Sequence, residues 1–141
     1  MGSFDYVITS PKERAYETAI AMGFAVNEIV KDFGPYNDDV KSEFTSEAHT
    51  FPKIQSLLKH KTFTYQFAQQ QANLLLESSS KIQDGQKLLI ISHGGVVDIP
   101  LGFLFPNVDP GSWGSLFSYC EGFRIQIEDK KIVDFTLLRA N

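Results

Sequence analysis

Only one cysteine, Cys120, occurs among the 141 residues, so no internal disulfide framework can brace the fold, and a reducing, cytoplasmic setting is the expectation. Basic excess is missing as well. Lys and Arg total 13 against 17 Asp and Glu, a formal charge of -4, which argues against a nucleic-acid partner because no cationic footprint is there to meet a phosphate backbone. Long apolar runs are also lacking: those around Leu88 to Ile91 and Ile99 to Phe105 fall well short of the roughly 20 residues that span a bilayer. No membrane partner is expected. The first residues do not read as a targeting leader, and Tyr6 stands where a myristoylation signal needs Ser or Thr. The three histidines and Cys120 lie at no metal-ligand spacing, so neither a metal nor another cofactor is expected.

What is present is an ordinary globular balance, 43% hydrophobic and 21% charged residues, enough for one core and one domain over residues 1–141. Phe4-Asp5-Tyr6-Val7-Ile8-Thr9 is short, β-branched and aromatic, the pattern of a buried strand. It runs into Ser10-Pro11, which reads as a helix start: Ser10 as N-cap, Pro11 at the first helical position, and Glu13 closing a capping box. This helix carries Ala15, Ala19 and Met22 on one face and stops at Gly23. A short strand is expected around Glu28 to Lys31, then an exposed, turn-rich loop over Gly34-Pro35-Tyr36-Asn37-Asp38-Asp39.

Helical spacing returns over Phe51 to Leu58 and Tyr65 to Glu77. Leu88-Leu89-Ile90-Ile91 is a continuous apolar run of the kind found in parallel strands covered on both faces. It leads through Ser92-His93-Gly94-Gly95 into a segment in which Pro100 demands a kink or a helix start later than Val96. Phe123 to Ile127 and Ile132 to Leu137 flank the polar turn Glu128 to Lys131 as a hairpin does. The whole predicts an α/β fold, a three-layer α/β/α arrangement with a mostly parallel sheet and a C-terminal antiparallel hairpin.

Two segments carry chemistry. In an open parallel sheet, ligands bind beyond the carboxyl ends of the strands, and both segments fall there. Arg14, in the first turn of its helix, offers a planar fork of donors suited to phosphate oxygens. His93 follows another strand, and Gly94 and Gly95 let an anion approach the backbone. Either fragment alone is commonplace, since an Arg in a first turn is usually solvated and His-Gly-Gly also occurs in esterase oxyanion loops. The esterase reading needs a nucleophile elbow, and Pro110-Gly111-Ser112-Trp113-Gly114 lacks the glycine two residues before Ser112. Taken together and in this order, Ser10-Pro11-Lys12-Glu13-Arg14-Ala15-Tyr16-Glu17-Thr18-Ala19 and Ser92-His93-Gly94-Gly95 resemble signature segments of the histidine phosphatase (phosphoglycerate-mutase-like) superfamily.

That resemblance implies a phosphomonoester hydrolase, or a mutase, acting on a small phosphorylated substrate through a phosphohistidine. Arg14 corresponds to the second phosphate-binding arginine and His93 to the second histidine, with Gly94 beside the phosphate. Such an arrangement works by positioning and charge neutralisation. The family's Arg-His-Gly segment, source of the nucleophilic histidine, has no counterpart here: His49 and His60 follow no strand-like run and precede no glycine. The resemblance therefore implies that a central strand of the sheet is absent, and that the chain is N-terminally incomplete, that its flanking strands close up, or that a second copy fills the gap in a homodimer. Met1-Gly2-Ser3 directly before the motif strand favours incompleteness.

A general acid would come from Asp38, Asp39, Glu43 or Glu47, with Glu43 ranked first, or from Glu121. The segment from Gly34 to Tyr65 is expected to shape the pocket mouth, with Tyr36, Phe44, Phe51 and Phe63 as packing or wall. Trp113 and Phe117 read as core or pocket wall. If the nucleophile is missing altogether, the chain is a non-catalytic phosphate-binding or interaction domain. The substrate is not legible.

Overall fold

The computed structural model describes residues 3–44, 50–60, 62–94, 96–118 and 120–140. The chain runs β1 (Tyr6–Thr9), α1 (Glu13–Ala21), β2 (Glu28–Ile29), α2 (Asp38–Glu43), α3 (Phe51–Leu58), α4 (Phe63–Ser78), β3 (Leu88–Ile91), α5 (Ile99–Leu104), β4 (Gly122–Glu128) and β5 (Lys131–Leu138), with single 3-10 turns at Lys31–Phe33, Ser79–Lys81 and Pro110–Trp113. It is the mixed α/β arrangement expected, a parallel sheet with helices and a C-terminal hairpin. No described helix is long and apolar enough to cross a membrane.

β1 is central, pairing in parallel with β2 on one side and with β3 on the other. Its Val7, Ile8 and Thr9 are buried. α1 begins later than the sequence predicts. Lys12 occupies the N-cap position with no side-chain cap, and the expected capping box of Ser10 and Glu13 is not formed; Ser10 is engaged elsewhere. Ala15 and Ala19 do face the core, whereas Met22 is 36% exposed. Gly23 ends the helix at φ +89, with its N–H on the Ile20 carbonyl and the Phe24 N–H on Ala19, a closure that favours glycine because it has no Cβ.

The loop expected over residues 34–39 is shorter than predicted. Asn37 accepts the Val40 N–H at 3.1 Å, and this cap lets Asp38 and Asp39 open α2 as acidic residues favourably placed in a first turn. α3 has the predicted bounds. α4 starts two residues early because Thr62 accepts the Tyr65 N–H at 3.0 Å. Pro100 sits in the first turn of α5, where its missing N–H costs nothing.

Two apolar clusters unite α2, α3, α4 and α5. One joins Val40, Ile54, Leu58, Ala68 and Ile99. The other joins Phe51, Leu101, Trp113 and Phe117, with Phe51 edge-on to Trp113 at 5.3 Å and to Phe117 at 5.4 Å. Phe51 is 1% exposed, and truncating a buried aromatic of this kind to alanine costs about 3–5 kcal/mol. The hairpin docks on this second cluster by stacking Phe135 on Phe105 at 3.9 Å. Asp129 and Lys130 turn the hairpin with φ +50 and +63, as a tight twisted turn requires.

β3 differs from expectation. A strand covered on both faces would be fully buried, yet all four of its residues are partly exposed. The reason is topological: β3 ends the three-stranded sheet, and β4–β5 form a separate two-stranded sheet. Among the described residues no strand pairs with the far edge of β3. The Tyr6 and Ser10 N–H groups donate to Lys87 and Ile91, so by the alternation of a parallel ladder Leu88 and Ile90 turn their backbone groups to that open edge.

Candidate anion-binding site

The β1–β3 ladder brings the two sequence motifs together. Thr9 lies opposite Ile91, and one rung further the Ser10 N–H donates to the Ile91 carbonyl at 3.0 Å. Ser10 and Ser92-His93 thus leave the sheet side by side at its carboxyl end. Ser10 Oγ lies 2.5 Å from His93 Nε2, and the Lys12 N–H donates to the same hydroxyl at 3.3 Å. Ser10 is fully buried and His93 half-buried. Ser92 donates its hydroxyl to the Phe33 carbonyl at 2.7 Å, which anchors the loop after β3 on the 3-10 turn after β2. The His93 carbonyl accepts the Val97 N–H at 3.0 Å and so starts the turn that leads to α5.

Arg14 is exposed in the first turn of α1. Its charge reaches His93 nonetheless. The imidazole is held below its ordinary value of 6.5, first by burial and then by the positive charges of Arg14 and Lys12. Without an anion, then, the site is a concentration of positive charge around a ring disposed to stay neutral. Gly94 is exposed, and a Cβ there would meet nothing nearer than the Phe117 carbonyl at 4.0 Å, so the space beside it is open. Gly95 lies outside the described residues. A cavity of about 130 Å³ beside Glu28 and Lys81 and another of about 140 Å³ between Asn37 and Gln70 do not include Ser10, Arg14 or His93; the chemistry, not concavity, marks the site.

Glu43 is placed elsewhere. Its carboxylate accepts the Phe63 N–H at 2.8 Å, the Thr64 N–H at 2.7 Å and the Thr64 hydroxyl at 2.6 Å, so it caps the start of α4. Burial pushes its pKa up, but the Thr64 hydroxyl, the Thr64 and Phe63 amides and the Thr62 hydroxyl outweigh this and bring it below 4.5. A carboxylate held ionised with both oxygens occupied is the opposite of a proton donor. Glu121 is likewise committed: the Ser118 amide and hydroxyl, the Ala140 amide and Arg139 take it down to about 2, and Arg139 pairs with it at 3.1 Å. Asp38 and Asp39 are exposed on α2, while Glu47 and His49 lie outside the described residues. His60 is exposed at the end of α3.

Of the aromatics expected at the mouth, Phe51 is core and Tyr36 stacks on Phe44 at 5.9 Å; Phe63 is 48% exposed. Trp113 and Phe117 are core. Ser112 donates to the Asp109 carbonyl within a 3-10 turn, which is no nucleophile elbow. No described group of His, Cys, Asp and Glu is arranged to hold a metal ion. Ser10 and Lys12 are the participants that sequence reasoning missed, because Ser-Pro reads so readily as a helix cap.

No family model matches the sequence, and no curated protein matches it at a significant level. The fold, however, is shared with solved structures. It is similar to a protein provisionally named alpha-ribazole-5'-P phosphatase from Escherichia coli K-12, with TM-score 0.58 and 20% identity over 98% of this chain and 74% of that one. It is similar to the alpha-ribazole phosphatase of Shigella flexneri, with TM-score 0.52 and 23% identity over 97% and 72% of the two chains. It is also similar to the Rv3214 product of Mycobacterium tuberculosis, with TM-score 0.56 and 18% identity over 94% and 70%. At these identities the likeness shows a shared α/β fold.

Proposed function

We propose that the Ser10–His93–Arg14 site holds the phosphoryl group of a small phosphorylated substrate, as the phosphate-binding half of a histidine-type phosphatase. The observation that carries this reading is the convergence of two motifs, 83 residues apart, on one hydrogen bond at the carboxyl end of the sheet, beneath the charges of Arg14 and Lys12. Two fold neighbours bear phosphatase names, which supports it. Arg14 would neutralise the phosphoryl oxygens and His93 would donate a hydrogen bond to them, with Gly94 leaving room for the group. In its complete form the enzyme would hydrolyse a phosphomonoester through a phosphohistidine in a cytoplasmic setting, and the nucleophile would come from a segment this sequence does not contain.

A second reading, a phosphate-binding domain without catalysis, is favoured by one observation: His60, the other described histidine, is exposed just after α3 and follows no strand. A chromogenic phosphomonoester assay and a phosphate-binding titration on this chain test both readings. No turnover together with measurable phosphate binding agrees with the half-site; turnover abolished by His93→Ala contradicts a binding-only role, and absence of phosphate binding overturns both.

A further inference from the structure

We infer that Ser10 is a positioning residue that turns Nε2 of His93 into the protein and so makes Nδ1 the ring nitrogen that meets the phosphoryl group. The inference rests on the anion-binding reading above, but its geometry stands on its own. Ser10 Oγ is 2.5 Å from Nε2, it is fully buried, and the flanking backbone fixes it, with its own N–H on Ile91 and the Lys12 N–H on its oxygen.

A serine hydroxyl has one proton to give and two lone pairs. The Lys12 N–H takes one lone pair. When His93 is neutral, the buried hydroxyl proton needs an acceptor and Nε2 is the one in contact with it, which favours the ring proton on Nδ1. When His93 is protonated, Nε2–H donates into the second lone pair of Oγ, and Nδ1 still carries its proton. Ser10 can reverse the direction of its bond while the ring keeps the same donor facing outward. His93 thereby presents an N–H to an oxyanion in both charge states, and the burial and positive charges that favour its neutral form do not remove the donor. An aspartate at position 10 would enforce one state only, and an alanine would leave the tautomer unfixed.

Nitrogen-detected NMR of histidine-labelled protein tests this at about pH 8, where a histidine with an ordinary or lowered pKa is neutral. The His93 signal is assigned by its loss in His93→Gln. The expected result is the Nδ1–H tautomer in the wild-type chain, its loss or mixing with the Nε2–H form in Ser10→Ala, and its recovery in Ser10→Thr. A wild-type His93 in the Nε2–H form overturns the inference whether or not the variants fold. Inorganic phosphate is then added to the wild type: a shift at Nδ1 larger than at Nε2 is expected, and the reverse order overturns the inference. An Nδ1–H tautomer with no response to phosphate overturns the anion-binding reading and leaves the Ser10–His93 pair intact.

Discussion

Ser10 Oγ and His93 Nε2 are 2.5 Å apart although 83 residues separate them in sequence, and the bond exists because β1 and β3 pair in parallel with Thr9 opposite Ile91. Everything proposed for the site follows from that register. A slip by one residue would turn either Ser10 or His93 to the opposite face of the sheet.

If the paired loops form an anion site, removing either charged or hydrogen-bonding partner should weaken it strongly. Hydrogen bonds to a charged group contribute about 1.5–3 kcal/mol, so His93→Ala and Arg14→Ala should each weaken sulfate or phosphate binding about ten- to hundredfold. Titration calorimetry checks this. Lys12, which reaches His93 through its charge and is exposed, should matter less, with Lys12→Ala costing severalfold at low salt and little at high salt, because exposed charges are screened. Equal losses from all three at high salt would exclude a geometric site.

The depressed His93 sets a pH dependence of definite sign. In the unfolded chain the ring takes up a proton near 6.5, whereas in the folded chain burial, Arg14 and Lys12 hold it lower. The unfolded state therefore binds more protons in that window, so stability is complete above about 6.5 and is lost as pH falls towards the folded-state pKa. Sulfate supplies the anion that reverses this penalty. The Tm difference between wild type and His93→Gln should move against the wild type as pH falls from about 7.5 to about 5.5, and sulfate should shrink that difference relative to chloride at equal ionic strength. A wild-type advantage that grows on acidification would contradict the electrostatics described.

The placement of the candidate residues was partly legible in the sequence, because backbone punctuation and the two motifs coincide at the strand ends. Val7 to Thr9 and Leu88 to Ile91 announce parallel strands, and Arg14 and His93 follow them at the spacing that places both at one sheet edge. What escaped was the competition for Ser10. Ser-Pro with Glu three residues on is a sound local argument for a capped helix, but a hydroxyl within reach of His93 has a better partner, and α1 starts at Glu13 instead. Glu43 escaped for a similar reason. Nothing local shows that an acid at the end of α2 will meet the unpaired amides of α4, since that depends on how two helices pack. The fully covered setting expected of β3 failed because burial is decided by neighbours, which the strand's own composition cannot report.

Glu43 gives a direct test of cap against catalyst. Three donors from the start of α4 converge on it, and losing a cap of this kind costs about 1–2 kcal/mol. Glu43→Ala should lower the denaturation midpoint by a corresponding amount and leave sulfate affinity unchanged within twofold. Its stabilising effect is present above its ordinary pKa of 4.5 and is lost as pH falls through the lower folded-state value. The stability gap between wild type and Glu43→Gln should accordingly narrow below about pH 4. A variant of undiminished stability that binds sulfate poorly would return Glu43 to the site.

The open edge of β3 is the remaining feature with consequences. Four apolar residues, all partly exposed, present the backbone groups of Leu88 and Ile90 with no strand beside them among the described residues. No charge or proline guards the strand itself, so it is a template for another strand, and a second copy of this chain is the partner proposed. Two copies related by a two-fold axis would pair β3 with β3 in antiparallel fashion, an isologous arrangement that uses up the β3 edge of both copies. Sedimentation velocity should show a concentration-dependent dimer. Ile90→Pro removes an N–H that faces outward and not towards β1, so it should be tolerated by the three-stranded sheet while abolishing the dimer. A wild type that stays monomeric at high concentration would mean that the β3 edge does not recruit a second copy, and a dimer that survives Ile90→Pro would mean that its interface lies elsewhere on the surface.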